Sequence, residues 1–175
     1  MILGRRETNI IKHYQVQEKQ PKIQVRPAYR DEWDDAMALA WRTFMRFEAN
    51  DYATEGIKSF QDFITDTVLH RMFVMGSYQL FCAFDGKKLI GMISLRNETH
   101  ISLLFVDAQY HKRGIGRALI DYVGKYVLLE EGFRNLTVNA APYAIGFYHK
   151  LGFYDTDTEQ TSDGIRYTPM EKKLV

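Results

Sequence analysis

The chain has 175 residues and a net charge of +1, enough length for one domain with a full core and too little charge for a general attraction to nucleic acid or anionic membrane. Apolar residues are 46% and charged residues 26%, the balance of a globular protein. Cys82 is the single cysteine, so no intramolecular disulfide can form, and the five histidines show no metal-ligand spacing. No apolar run approaches the roughly 18 residues of a membrane span, and Arg5 and Arg6 precede no apolar run of the secretory kind. A reducing cytoplasm is the expected location.

Residues 1–20 are polar and weakly periodic and read as an N-terminal extension, with one domain over residues 21–175. The run from Lys22 to Arg26 reads as a strand stopped by Pro27. Trp33, Met37, Trp41, Phe44 and Met45 near helical spacing predict a helix over residues 31–48. A second helix is predicted over residues 54–70, with Thr54 as cap. Leu80–Phe84 and Leu89–Leu95 flank Asp85-Gly86, a hairpin signal. Gly91 within the second strand predicts a bulge or a close backbone approach.

A strand over Ile101–Val106 follows. Ile101, Leu103 and Phe105 are expected on one face, Leu104 and Val106 on the other, so both faces are covered. A helix starts near Gly114 with Ile115, Leu119, Tyr122, Val123 and Tyr126 as its stripe, and Gly132 caps its end. Leu136–Asn139 is a further strand. Pro142 opens a helix that Gly152 ends, and Phe153–Asp157 pairs with Ile165–Lys172. The order β-α-α-β-β-β-α-β-α-β-β implies an α/β (α+β) fold: a mixed central sheet of about seven strands flanked by about four helices.

Between the central strand and its helix lies His111-Lys112-Arg113-Gly114-Ile115-Gly116-Arg117. Its amides open onto a first helical turn, where N–H groups have no intrahelical partner. With the helix dipole and three cations this makes an anion site that suits a diphosphate. A plain glycine-rich turn would read the same way. A P-loop would need G-x-x-x-x-G-K-[ST], and the chain has none. A dinucleotide turn would need Gly or Ala where Leu119 stands, which disfavours a nucleotide-binding protein.

This segment resembles motif A of the GCN5-related N-acetyltransferases (GNAT), written [Gln/Arg]-x-x-Gly-x-[Gly/Ala] and matched by His111, Gly114 and Gly116. The first position departs from the motif, which touches that side chain's role and not the backbone's. The run Phe147-Tyr148-His149-Lys150-Leu151-Gly152-Phe153 resembles a second family segment, and the element order matches over residues 21–175. The resemblance implies acetyl-CoA (coenzyme A) as donor. Its pyrophosphate would lie on the amides of Arg113 to Ala118, flanked by His111 and Lys112. Its pantetheine arm would pair with the backbone of Leu104, Phe105 and Val106, where two parallel strands part. It also implies Asn139 as a cofactor contact and Tyr148 beside the sulfur, as donor of a proton to the leaving thiolate.

The implied activity is direct acyl transfer to an amine in a ternary complex. A lysine-like amine of pKa ~10.4 must lose a proton first, at a cost of about 4.6 kcal/mol at pH 7. A base or a water relay must take that proton, and Glu98 and His100, which enter the central strand, are catalytic candidates for it. Glu48, Asp51 and Glu55 at the helix junction are candidates for the same role. The region from Phe44 to Phe60, with Tyr52, would wall the acceptor pocket. The expected partner is a small-molecule or peptide amine, not nucleic acid and not a membrane, and the aromatic content leaves room for a homodimer surface. Cys82 reads as an ordinary buried thiol. An inactive coenzyme A-binding regulatory module of the same fold is the alternative.

Overall fold

The computed structural model describes residues 23–175; the N-terminal extension expected over residues 1–20 lies outside them. Strand β1 (Ile23–Pro27) leads to helix α1 (Trp33–Phe47). Pro27 can close β1 because an edge strand loses no inner ladder bond there. Helices α2 (Thr54–Ile64) and α3 (Thr67–Val74) replace the one helix expected over residues 54–70. The break has two local causes. Thr65 Oγ1 donates to the Gln61 carbonyl at 2.8 Å, and the Asp66 carboxylate accepts the Val68 amide at 2.7 Å, capping α3.

Strands β2 (Gln79–Asp85), β3 (Lys88–Arg96) and β4 (His100–Val106) form an antiparallel meander. Helix α4 (Ile115–Leu129) crosses over to β5 (Asn135–Ala140). Helix α5 (Ile145–Lys150) and strands β6 (Tyr154–Asp155), β7 (Gln160–Ser162) and β8 (Ile165–Lys173) complete the chain. The sheet order is β1-β2-β3-β4-β5-β8-β6, with β7 paired to β8. Among the described residues eight strands and five α-helices thus stand where about seven and four are expected. The additions are the short β7 and the split of the second helix.

Two cores cover the sheet's faces. On one, Phe81, Ile93, Leu95 and Leu136 meet α4 through Leu119, Ile120 and Val123. On the other, Leu80, Met92, Leu103 and Phe105 meet α1 and α2 through Leu39, Phe44 and Phe60. Cys82 is fully buried in this second core, and burial pushes its thiol up to about 12.

Two bulges set which side chains share a face. The β2–β3 register slips between Ala83 and Phe84, so Gly91 pairs with Ala83 while Leu89 pairs with Phe84. The expected bulge is therefore found beside Gly91, and its tight neighbours are side chains of α4 and not backbone: a Cβ there would come within 3.1 Å of Leu119. The β3–β4 register slips between Ser94 and Leu95, leaving Ser102 unpaired. That extra residue turns Ile101 toward α4 while Leu103 and Phe105 face α1. The expectation that all three share one face fails at this bulge.

Candidate active site

Strand β4 is parallel to β5 only at His100–Thr137 and Ile101–Val138. Beyond that the two strands part, because β5 turns away to pair with β8 along its whole length. The gap exposes the edge of residues 103–106, the only interruption in the sheet path among the described residues. Two cavities open on the gap from opposite sides.

The first, about 480 Å³, runs from the β4–α4 turn along Leu104–Val106 to Tyr148, with Phe47, Tyr143 and Phe147 as walls. Lys112 and Gly114 hold φ of 60° and 80°, curling the turn so that its amides converge. The first backbone bond here is from the Ala118 amide to the Gly114 carbonyl, at 3.0 Å. The amides of residues 113–117 have no backbone acceptor among the described residues. Gly116 has no room for a side chain: a Cβ would lie 2.9 Å from the Phe147 ring. Lys112, Arg113 and Arg117 are exposed around this cradle. The unpaired amides, the bare glycines and the cations all fit a diphosphate.

His111 faces inward. Its Nε2 lies 2.7 Å from the Val106 carbonyl, which can only accept, so Nε2 carries the proton. Its ring packs on Phe47 at 4.7 Å. The histidine that departs from the family motif therefore ties the turn back to β4.

The second cavity, about 390 Å³, is lined by Phe44, Tyr52, Phe60 and Phe63 on one wall and by β4, β5 and the β7–β8 hairpin on the others. The hairpin is seated on α2. Ser59 donates to the Asp163 carbonyl at 3.0 Å, and a Cβ on Gly56 would come 2.4 Å from the Gly164 carbonyl oxygen. Only glycine allows that approach.

Five residues line both cavities: Glu48, Leu104, Phe105, Ala144 and Tyr148. Glu48 follows the last turn of α1, its amide bonded to the Phe44 carbonyl at 2.9 Å. Burial, with the Asp51 carboxylate nearby, raises its carboxyl to about 7. No cation or donor offsets this among the described residues. Tyr148 is the buried residue of α5, 5% exposed, held edge-on by Phe147 and Phe153 with both ring centroids at 5.2 Å. Burial, and then the Glu48 charge, push its phenol well above the usual range, so it holds its proton. A carboxyl able to take a proton near pH 7 and a phenol that keeps one thus share the junction.

The expected site residues fall as follows. Leu104, Phe105, Val106, His111, Lys112, Gly114, Ile115, Gly116 and Arg117 line the first cavity. Arg113 and Ala118 belong to the same turn, and the Arg113 guanidinium lies over the Tyr110 ring at 5.0 Å. Asn139 is exposed and lines the second cavity, not the first. His100 lies at the far end of the second cavity. Its Nδ1 is 2.8 Å from the Thr137 hydroxyl, and burial, helped by Arg96, lowers it to about 4. Glu98 sits on the exposed β3–β4 turn with φ of 61°, outside both cavities. Glu48 is the one of the five sequence candidates for a base that lines both cavities. Nothing in its local pattern separates it from Asp51 and Glu55; burial does.

Comparison with known proteins agrees with this geometry. Residues 48–174 match the acetyltransferase (GNAT) domain model. The chain belongs to the GNAT acetyltransferase family, and it is an acyltransferase of that type. It is 25% identical over 145 residues to the peptidyl-lysine N-acetyltransferase YjaB of Salmonella typhimurium, covering 81% of this chain and 90% of that one. A GCN5-related N-acetyltransferase structure from Rhodopseudomonas palustris superposes with a TM-score of 0.74 at 25% identity, over 86% of this chain and 95% of that one. The fold is shared with the PaiA N-acetyltransferase of Thermoplasma acidophilum, solved in complex with coenzyme A. That match has a TM-score of 0.74 and 22% identity, over 87% and 99% of the two chains.

Proposed function

We propose that this chain transfers an acetyl group from acetyl-CoA directly to a primary amine, with both substrates bound at once. The observation that carries the reading is the meeting of two cavities at Glu48 and Tyr148 in the gap between β4 and β5. The coenzyme A complex of the Thermoplasma relative supports the choice of donor. Acetyl-CoA supplies an activated acyl thioester whose sulfur leaves as a thiolate.

The chain's own residues then have separable tasks. The free amides of residues 113–117, with Lys112, Arg113 and Arg117, hold the diphosphate. The exposed edge of β4 offers backbone groups to an extended arm and to a developing oxyanion. Glu48 accepts the amine's proton. With a pKa near 7 it is about half ionised at neutral pH and well matched to that work. Tyr148 keeps the proton on its phenolic oxygen and can donate a hydrogen bond to the departing sulfur. His100 and Glu98, two other candidates for the base, are respectively far along the acceptor cavity and outside it.

Free-thiol release from acetyl-CoA, measured over a panel of primary amines, tests the reading. Turnover should be seen with at least one amine, and Glu48→Gln should lower kcat/KM at pH 7 roughly 10²-fold. Coenzyme A binding with no turnover for any amine would instead favour a regulatory module.

A further inference from the structure

The acceptor cavity has two charged poles. Glu48 stands at the inner end beside Tyr148, and Arg96 and His100 stand at the outer end, where β3 turns into β4. Between them the wall is aromatic. Phe44 and Phe60 stack at 4.1 Å, and Phe60 meets Phe105 at 5.7 Å. The cavity follows β4 from His100 to Phe105, five steps of about 3.3 Å, or roughly 16 Å of strand.

The lining carries two other charges, away from both poles of the strand. Arg166 is held by Glu159 at 2.7 Å. Asp163 is exposed at the hairpin tip on the α2 side, where Ser59 binds its backbone carbonyl, and its carboxylate makes no ion pair among the described residues. Arg96 makes no ion pair or side-chain hydrogen bond among the described residues. Its charge is felt at His100, which stays neutral there, and is absent from the groups that act on Glu48. The outer pole is therefore cationic and the inner pole is a base.

Resting on the acetyltransferase reading, we propose that the acceptor is an amine joined through an extended apolar segment to an anionic group, its anion paired with Arg96 and its amine at Glu48. A carboxylate at the outer pole gains a charge-assisted bond to the guanidinium. A polyamine of the same length would bring a second cation against Arg96. The aromatic wall suits the apolar middle and gives neither class an ionic partner.

The test compares ω-amino-octanoate and ω-amino-dodecanoate with the diamines and the simple alkylamines of equal length. Acetyl-CoA is saturating and kcat/KM is the readout. The amino-carboxylates should exceed the diamines by about tenfold or more. Arg96→Gln should collapse that ratio, and Arg96→Glu should turn it toward the diamines, with the coenzyme-induced rise in melting temperature certifying the fold of each variant. Calorimetric binding of the same ligands to the coenzyme A-loaded protein should rank them in the same order, whether or not turnover occurs. Diamines equal to or better than amino-carboxylates, or a preference that survives in both Arg96 variants, would overturn the assignment. Ranked binding without turnover would uphold it while removing the catalytic reading on which it was built.

Discussion

Glu48 owes its proton affinity to what surrounds it, and that has two measurable consequences. The first is kinetic. If Glu48 is the base, kcat/KM falls as pH drops below about 7, and Glu48→Gln removes that limb while the limb from the amine's own ionisation stays. The second concerns stability. The folded pKa lies above the ordinary value of 4.5, so the folded chain binds more protons than the unfolded one between pH 4.5 and about 7. Stability from this group is therefore present below pH 4.5 and lost as pH rises to about 7, by at most on the order of 3 kcal/mol. Glu48→Gln should raise the melting temperature at pH 8 and leave it nearly unchanged at pH 4. A variant that destabilises at pH 8 would show that the carboxylate has a partner there. Tyr148→Phe should keep coenzyme affinity and lower kcat, since it removes one buried oxygen and the proton on it, while the edge-on packing on Phe147 and Phe153 survives. These residue-scale properties are the ones the sequence hides best. Tyr148 stands out by its motif, but Glu48 looks like any acid at a helix end until the fold encloses it.

At the scale of elements, two tight contacts divide the work between donor and acceptor. The β4–α4 turn needs Gly114 at φ of 80° and Gly116 against Phe147. Gly114→Ala should cost roughly 1–2 kcal/mol in stability through its left-handed backbone. Gly116→Leu should displace Phe147 and weaken coenzyme A binding, read by titration. The α2–hairpin contact is separate. Gly56→Ala would force the Gly164 backbone away, loosening the acceptor wall, so KM for the amine should rise while coenzyme affinity holds. Equal losses for both substrates would argue against this division. Most of these elements were legible. Periodicity placed the sheet strands and α4, and Asp85-Gly86, Gly132 and Gly152 marked turns and ends, with φ of 59°, 76° and 87° at the three glycines. Three features were not, the first being the three-residue strand β7, too short to show a period. Asp66 and Thr65 cut a helix whose apolar stripe runs through the break. The extra residue Ser102 reverses Ile101 relative to its neighbours, and alternation alone cannot signal it.

For the whole molecule, the sheet's two covered faces and the gap between β4 and β5 set how its parts can move. Among the described residues no helix is long and apolar enough to cross a membrane. The parallel contact between β4 and β5 holds at only two residue pairs, so the sheet resembles a book with a narrow spine. One leaf is β1 to β4 and the other is β5, β8, β6 and β7, with α4 packed across the binding. Breathing of the leaves should then outpace unfolding of either. Amide hydrogen exchange at residues 99–101 and 137–139 should be faster than in β2 and β3, and a ligand lodged between the leaves should slow it more than it slows exchange elsewhere.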